Sequence, residues 1–215
     1  QTGNTGLSQY NLYAPGWVAE VPGRVVPHTV HDAIAVAPYF SYTNAEAIIS
    51  TNNSSGQAAA YALMMSQIVA DIQTTNTNYF SFYRTLANTL GKQLIAYEGG
   101  NHSINFGTST NSALITQLVN AYVVSTDVVE HYGQMVDVWD AVGDGGFNQL
   151  STTGRADAGS EFGAMHHIAD FTAPRYVAMR GYNEGTFPVS NVQALPLNQR
   201  LVISGHSIPD ATAKT

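Results

Sequence analysis

The chain has 215 residues, 44% of them hydrophobic, enough to bury a sizeable core in one globular body. Charged residues make up only 11%, and eight Lys and Arg against fifteen Asp and Glu give a net charge of -7 with no basic cluster, which argues against a nucleic-acid partner. The absence of cysteine excludes a disulfide framework, a thiolate metal site and a cysteine nucleophile, and no apolar run approaches the roughly 20 residues of a transmembrane helix.

Residues 1–30 are rich in Gly, Pro and Asn around short apolar patches such as Trp17-Val18-Ala19, and they read as loop with at most one short helix. The run from Asp32 to Phe40 is short and apolar, closed by Pro38-Tyr39-Phe40, as expected of a strand buried on both faces in a parallel sheet. A polar loop through Asn52, Asn53, Ser54 and Ser55 follows. Next, Ala60, Leu63, Met64, Ile68 and Ile72 recur at helical intervals over 57–72, and a second helix is predicted over 78–90. Gln93-Leu94-Ile95-Ala96-Tyr97 repeats the buried-strand pattern and runs into Glu98-Gly99-Gly100-Asn101-His102, a polar turn at the strand's C-terminal end. Asn111 suits an N-cap for a helix through Leu114, Leu118 and Ala121, and another amphipathic helix spans 128–141. A third short strand is expected over 145–150, then helices over 160–169 and 174–180. From Phe187 onward, Pro, Asn and Gly surround scattered apolar residues, which fits an extended tail or a strand of a following module.

Strands separated by long helical connections imply parallel pairing and an α/β class. A closed barrel needs eight such units in about 250 residues. Three strands are evident, so a barrel reading makes this chain incomplete, with 1–186 as a partial (β/α) barrel and 187–215 as a C-terminal tail.

Several stretches, in order, resemble the C-terminal half of (β/α)8 TIM-type barrels of the large retaining glycoside-hydrolase clan (clan A), specifically bacterial secreted members. The run from His31 to Phe40 looks like their sixth strand and Ala96-Tyr97-Glu98-Gly99-Gly100-Asn101-His102 like the seventh. Trp139 through Phe147-Asn148 looks like the helix into the eighth. Ser160-Glu161-Phe162-Gly163 and Ala173-Pro174-Arg175-Tyr176 resemble the closing helices, so the likeness covers about residues 28–183. Gln1-Thr2-Gly3 resembles the loop after the fifth strand, which implies that the chain begins inside the barrel. The resemblance implies that Glu98 is the nucleophile and that the Tyr39 hydroxyl hydrogen-bonds to it. In that clan the acid/base lies at the end of the fourth strand, and no part of this sequence resembles that motif.

Position alone also favours Glu98, because a carboxylate after an apolar strand is costly unless a pocket solvates or pairs it. Capping of the Gly99-Gly100 amides is the alternative. Tyr39 can orient Glu98 or simply pack in the core. His102 and Asn101, in the loop after Glu98, can bind sugar hydroxyls or hydrogen-bond locally, and Asn148 has similar standing. Asp144, Asp127 and Glu161 are the carboxylates within the chain best placed to replace the missing acid. His131 and His166-His167 lack a metal-binding pattern, no phosphate loop follows a strand and no nucleophile elbow surrounds a serine, so neither a metal nor a cofactor is expected.

Two functions remain open. One is a secreted retaining glycosidase acting on a polysaccharide or oligosaccharide, its acid/base supplied by the N-terminal half of the barrel or by another copy of this chain. The other is a non-catalytic carbohydrate-binding or structural assembly protein on the same framework, also extracellular or at the cell surface.

Overall fold

The computed structural model describes residues 32–104, 112–145, 147–153, 162–165 and 167–186. Both predicted terminal segments, 1–31 and 187–215, lie outside the described residues. Strand β1 (Ala33–Val36) continues through Ala37 and Pro38 into β2 (Tyr39–Phe40). Helix α1 (Ala45–Ser55) and helix α2 (Gln57–Ala70) follow. A π-helical segment, Asp71–Asn76, leads directly from α2 into α3 (Thr77–Leu90). Then come β3 (Gln93–Ala96), β4 (Gly100–Asn101), α4 (Ser112–Val123), α5 (Asp127–Asp140), β5 (Ser151–Thr153), β6 (Gly163–Met165) and α6 (Pro174–Asn183).

The strands pair in parallel, β1 with β3, β2 with β4 and β5 with β6, which makes the fold α/β. Backbone bonds from Tyr97 N to Val36 O (3.1 Å), Gly100 N to Pro38 O (3.0 Å) and His102 N to Phe40 O (2.8 Å) carry the first ladder across both pairs. On the opposite edge of β3, Asp144 N donates to Leu94 O (2.8 Å) and, further along in the same direction, Leu150 N donates to Gly99 O (3.1 Å). The described strands thus form three two-stranded parallel sheets. Among the described residues, β1 pairs along one edge only.

Burial alternates along these strands. Ile34, Val36, Leu94 and Ala96 are buried, whereas Ala35 is exposed and Ile95 half-buried, so the expected burial on both faces is corrected to burial on one. The cause is that the helices cover a single face: the buried strand residues share one core with Met64, Ile68, Ile72, Phe80, Tyr83 and Trp139. Each fully buried side chain of this size contributes roughly 1.5–3 kcal/mol. Phe80 meets the Trp139 indole edge-on at 5.5 Å, which locks α3 to α5.

Three further expectations are corrected. The polar run Asn52 to Ser55 is the end of α1 and not a loop, because Asn44 caps the helix by accepting from Ala47 N (2.9 Å) and Ile48 and Ile49 bury its other face. The third strand is Ser151–Thr153, beyond 145–150, because Gly145 O is taken by Trp139 Nε1 (2.9 Å) and Asn148 bonds through its side chain. Where a helix was expected over 160–169, Gly163–Met165 is a strand and 167–169 a bend and turn. Ala164 and Met165 are buried there in a second cluster with Phe171, Ala173 and Tyr176.

Candidate active site

The two registers of the first ladder differ by one residue. Val36 faces Ala96 and Tyr39 faces Gly100, so the two residues Ala37-Pro38 oppose the three residues Tyr97-Glu98-Gly99. This is a β-bulge, a device that re-aims side chains at strand ends. Strict alternation from Leu94 and Ala96 would send Glu98 toward the helices. The extra residue resets the alternation, and Glu98 instead comes within reach of the Tyr39 hydroxyl.

Burial, then the hydrogen bond to Glu98 and the negative charge of Glu98, push the Tyr39 hydroxyl well above its ordinary pKa. Tyr39 therefore remains a proton donor to the carboxylate throughout the physiological range. Tyr97 is 47% exposed beside Glu98, and its hydroxyl is also pushed up, first by burial and then by the same charge. The two glycines of the bulge permit close approach: a Cβ on Gly99 would collide with Pro38 O at 2.5 Å, and Gly100 has φ 108°.

His102 lies against Tyr39. Its ring centroid is 5.2 Å from that of Tyr39 and 5.0 Å from that of Phe162, stacked on the latter at 29°, and burial lowers its pKa. Asn101 is buried beneath; its Oδ1 accepts from Ser103 N (3.0 Å) and its backbone N–H donates to the Tyr132 hydroxyl (3.1 Å). Asn148 is exposed, with Nδ2 donating to Ala96 O (2.7 Å) two residues before Glu98. The chain thus brings Glu98 and His102 each to Tyr39, while Asn101 and Asn148 hold the backbone on either side.

The expected substitutes for an acid lie elsewhere. Asp144 accepts from Arg84 (2.5 Å) and from Leu94 N (2.8 Å), which lowers its pKa. Leu94 precedes Glu98 by a distance on the order of 13 Å along the strand. Asp127 accepts from the Tyr61 hydroxyl (2.7 Å) in the helical layer. Glu161 lies outside the described residues. Among the described residues no group of three His, Cys, Asp or Glu can hold a metal ion.

Sequence reasoning missed Asp71, Tyr132, Gln149 and Phe162. Asp71 opens the π-helical segment and accepts from Ser41 N (2.9 Å) just beyond β2; burial raises its pKa. Such π-segments are frequent near functional sites. Only an acidic residue inside an otherwise apolar helical pattern could have signalled it.

No protein-family model matches the chain, and neither curated proteins nor solved structures offer a match.

Proposed function

We propose that this chain is the C-terminal portion of a (β/α)8 retaining glycoside hydrolase in which Glu98 is the nucleophile and Tyr39 orients it. The observation that carries this reading is that Tyr39 and Glu98 come within reach of each other across adjacent parallel strand ends, where the register shifts by one residue. Parallel strand pairs joined by long helical connections, with helices on one face, add support from the fold.

In this reading the Tyr39 hydroxyl occupies one Glu98 oxygen and fixes the carboxylate plane, leaving the other oxygen to attack the anomeric carbon. The glycosyl bond breaks as an ester to Glu98 forms, and the leaving oxygen takes a proton from an acid supplied by the N-terminal half of the barrel or by another copy of this chain. Water then cleaves the ester, with that same group acting as base. The substrate is an extracellular polysaccharide or oligosaccharide with β-linkages, and the protein is secreted or held at the cell surface.

The competing function, a non-catalytic carbohydrate-binding or assembly protein, is favoured by the structural engagement of Asp144 and Asp127. Hydrolysis of a panel of aryl β-glycosides separates the two. Glu98→Gln is expected to lower turnover about a thousandfold or more while sugar binding persists. Oligosaccharide binding without turnover in the unsubstituted protein, assembled with the partner that supplies the acid/base, would favour the second function.

A further inference from the structure

We propose that Gln149 is a positioning residue that sets the geometry of Glu98 by two separate routes; this rests on the reading of Glu98 as nucleophile. Its side chain is used at both ends. Oε1 accepts from the Tyr132 hydroxyl (2.8 Å) and Nε2 donates to Phe162 O (2.6 Å). The first route runs through the turn after Glu98. The buried Tyr132 hydroxyl also accepts from Asn101 N (3.1 Å), and Gln149 Oε1 and Tyr132 Oη press on Gly100 so closely that a Cβ there has no room. The clamp therefore bears directly on the bulge that aims Glu98. The second route runs through the rings: Phe162, fixed through its carbonyl, stacks on His102, which lies against Tyr39, the hydrogen-bond partner of Glu98.

An amide is the side chain suited to this position. It accepts on one atom and donates on the other, whereas a carboxylate can only accept and a hydrocarbon can do neither. Losing either end leaves the partner's buried polar group unsatisfied and frees the segment it held.

The test uses the full chain with Gln149→Met, which keeps length and bulk, and Tyr132→Phe as a second variant. The readout independent of catalysis is the His102 ring proton signal, shifted by the flanking rings. In Gln149→Met this signal moves toward that of an unstacked histidine and its titration midpoint rises toward 6.5. Glycoside turnover falls about tenfold to a hundredfold, mainly in kcat. Gln149→Glu adds a pH profile, since the new carboxyl regains its donor on protonation and the variant-to-parent rate ratio rises as pH falls. Folded variants with an unchanged His102 signal and unchanged kcat would overturn the proposal. Absence of turnover in the unsubstituted chain assembled with the partner that supplies the acid/base would instead refute the nucleophile reading, and the His102 signal would still decide whether Gln149 positions the site.

Discussion

Toward the helices, Ile34, Val36, Phe40, Leu94 and Ala96 are sealed against residues of α3 and α5, whereas on the other side Ala35 and Tyr97 stand open and Tyr39 meets Glu98. The same few residues of ladder thus carry two environments. The sealed face gains from transfer of apolar surface out of water, so it tolerates no polar group without a partner. The open side keeps the carboxyl group of Glu98, which is tolerated where solvent and a phenol donor share in satisfying it. One bulge separates the two, and without it Glu98 would fall on the sealed face.

If this division holds, damage on each side has a different signature. Trp139→Ala removes the largest buried side chain of the helix-facing core and is expected to cost about 3–5 kcal/mol in denaturant unfolding. A cost under about 1 kcal/mol would mean that this core is loosely packed. Tyr39→Phe keeps the ring against His102 but deletes the donor to Glu98. Turnover is expected to fall about tenfold, equivalent to about 1.4 kcal/mol, with stability changed by no more than about 1 kcal/mol. Larger destabilisation than rate loss would assign Tyr39 to packing.

The smallest effect concerns His131, buried in the helical layer with Nδ1 2.9 Å from the Tyr122 hydroxyl. Burial lowers its pKa, opposed by the charges of Asp127 and Glu130. Above the unfolded value of 6.5 the imidazole is neutral in both states. As pH falls through that value the unfolded chain takes up the proton first, so stability is lost until the folded pKa is passed. Urea midpoints should therefore decline on acidification, and His131→Gln, which can still pair with Tyr122, should flatten part of the decline. An unchanged slope would show that His131 is not the sensor.

Much of the sealed face could be read from sequence, because it follows simple periods. The runs around Ile34 and Leu94 read as strands, and the spacing of Met64, Ile68 and Ile72 as helix. Glu98 and Tyr39 were legible as strand-end residues, and a resemblance suggested that they pair, but the bulge between them was not legible. The bulge depends on the register between two strands about sixty residues apart, which no local pattern encodes. Gln149 and Phe162 were missed for the same reason: each acts through a contact made by the fold. The strand Gly163–Met165 was misread because three small or flexible buried residues carry no period, and their burial comes from α6 and the turn before it.

The most direct test of the account is covalent trapping with a 2-deoxy-2-fluoro glycosyl fluoride, followed by peptide mapping. The expected result is a single glycosyl ester on Glu98, absent in Glu98→Gln. An adduct on another carboxylate, or sugar binding with no adduct at all, would contradict the assignment of Glu98 as nucleophile.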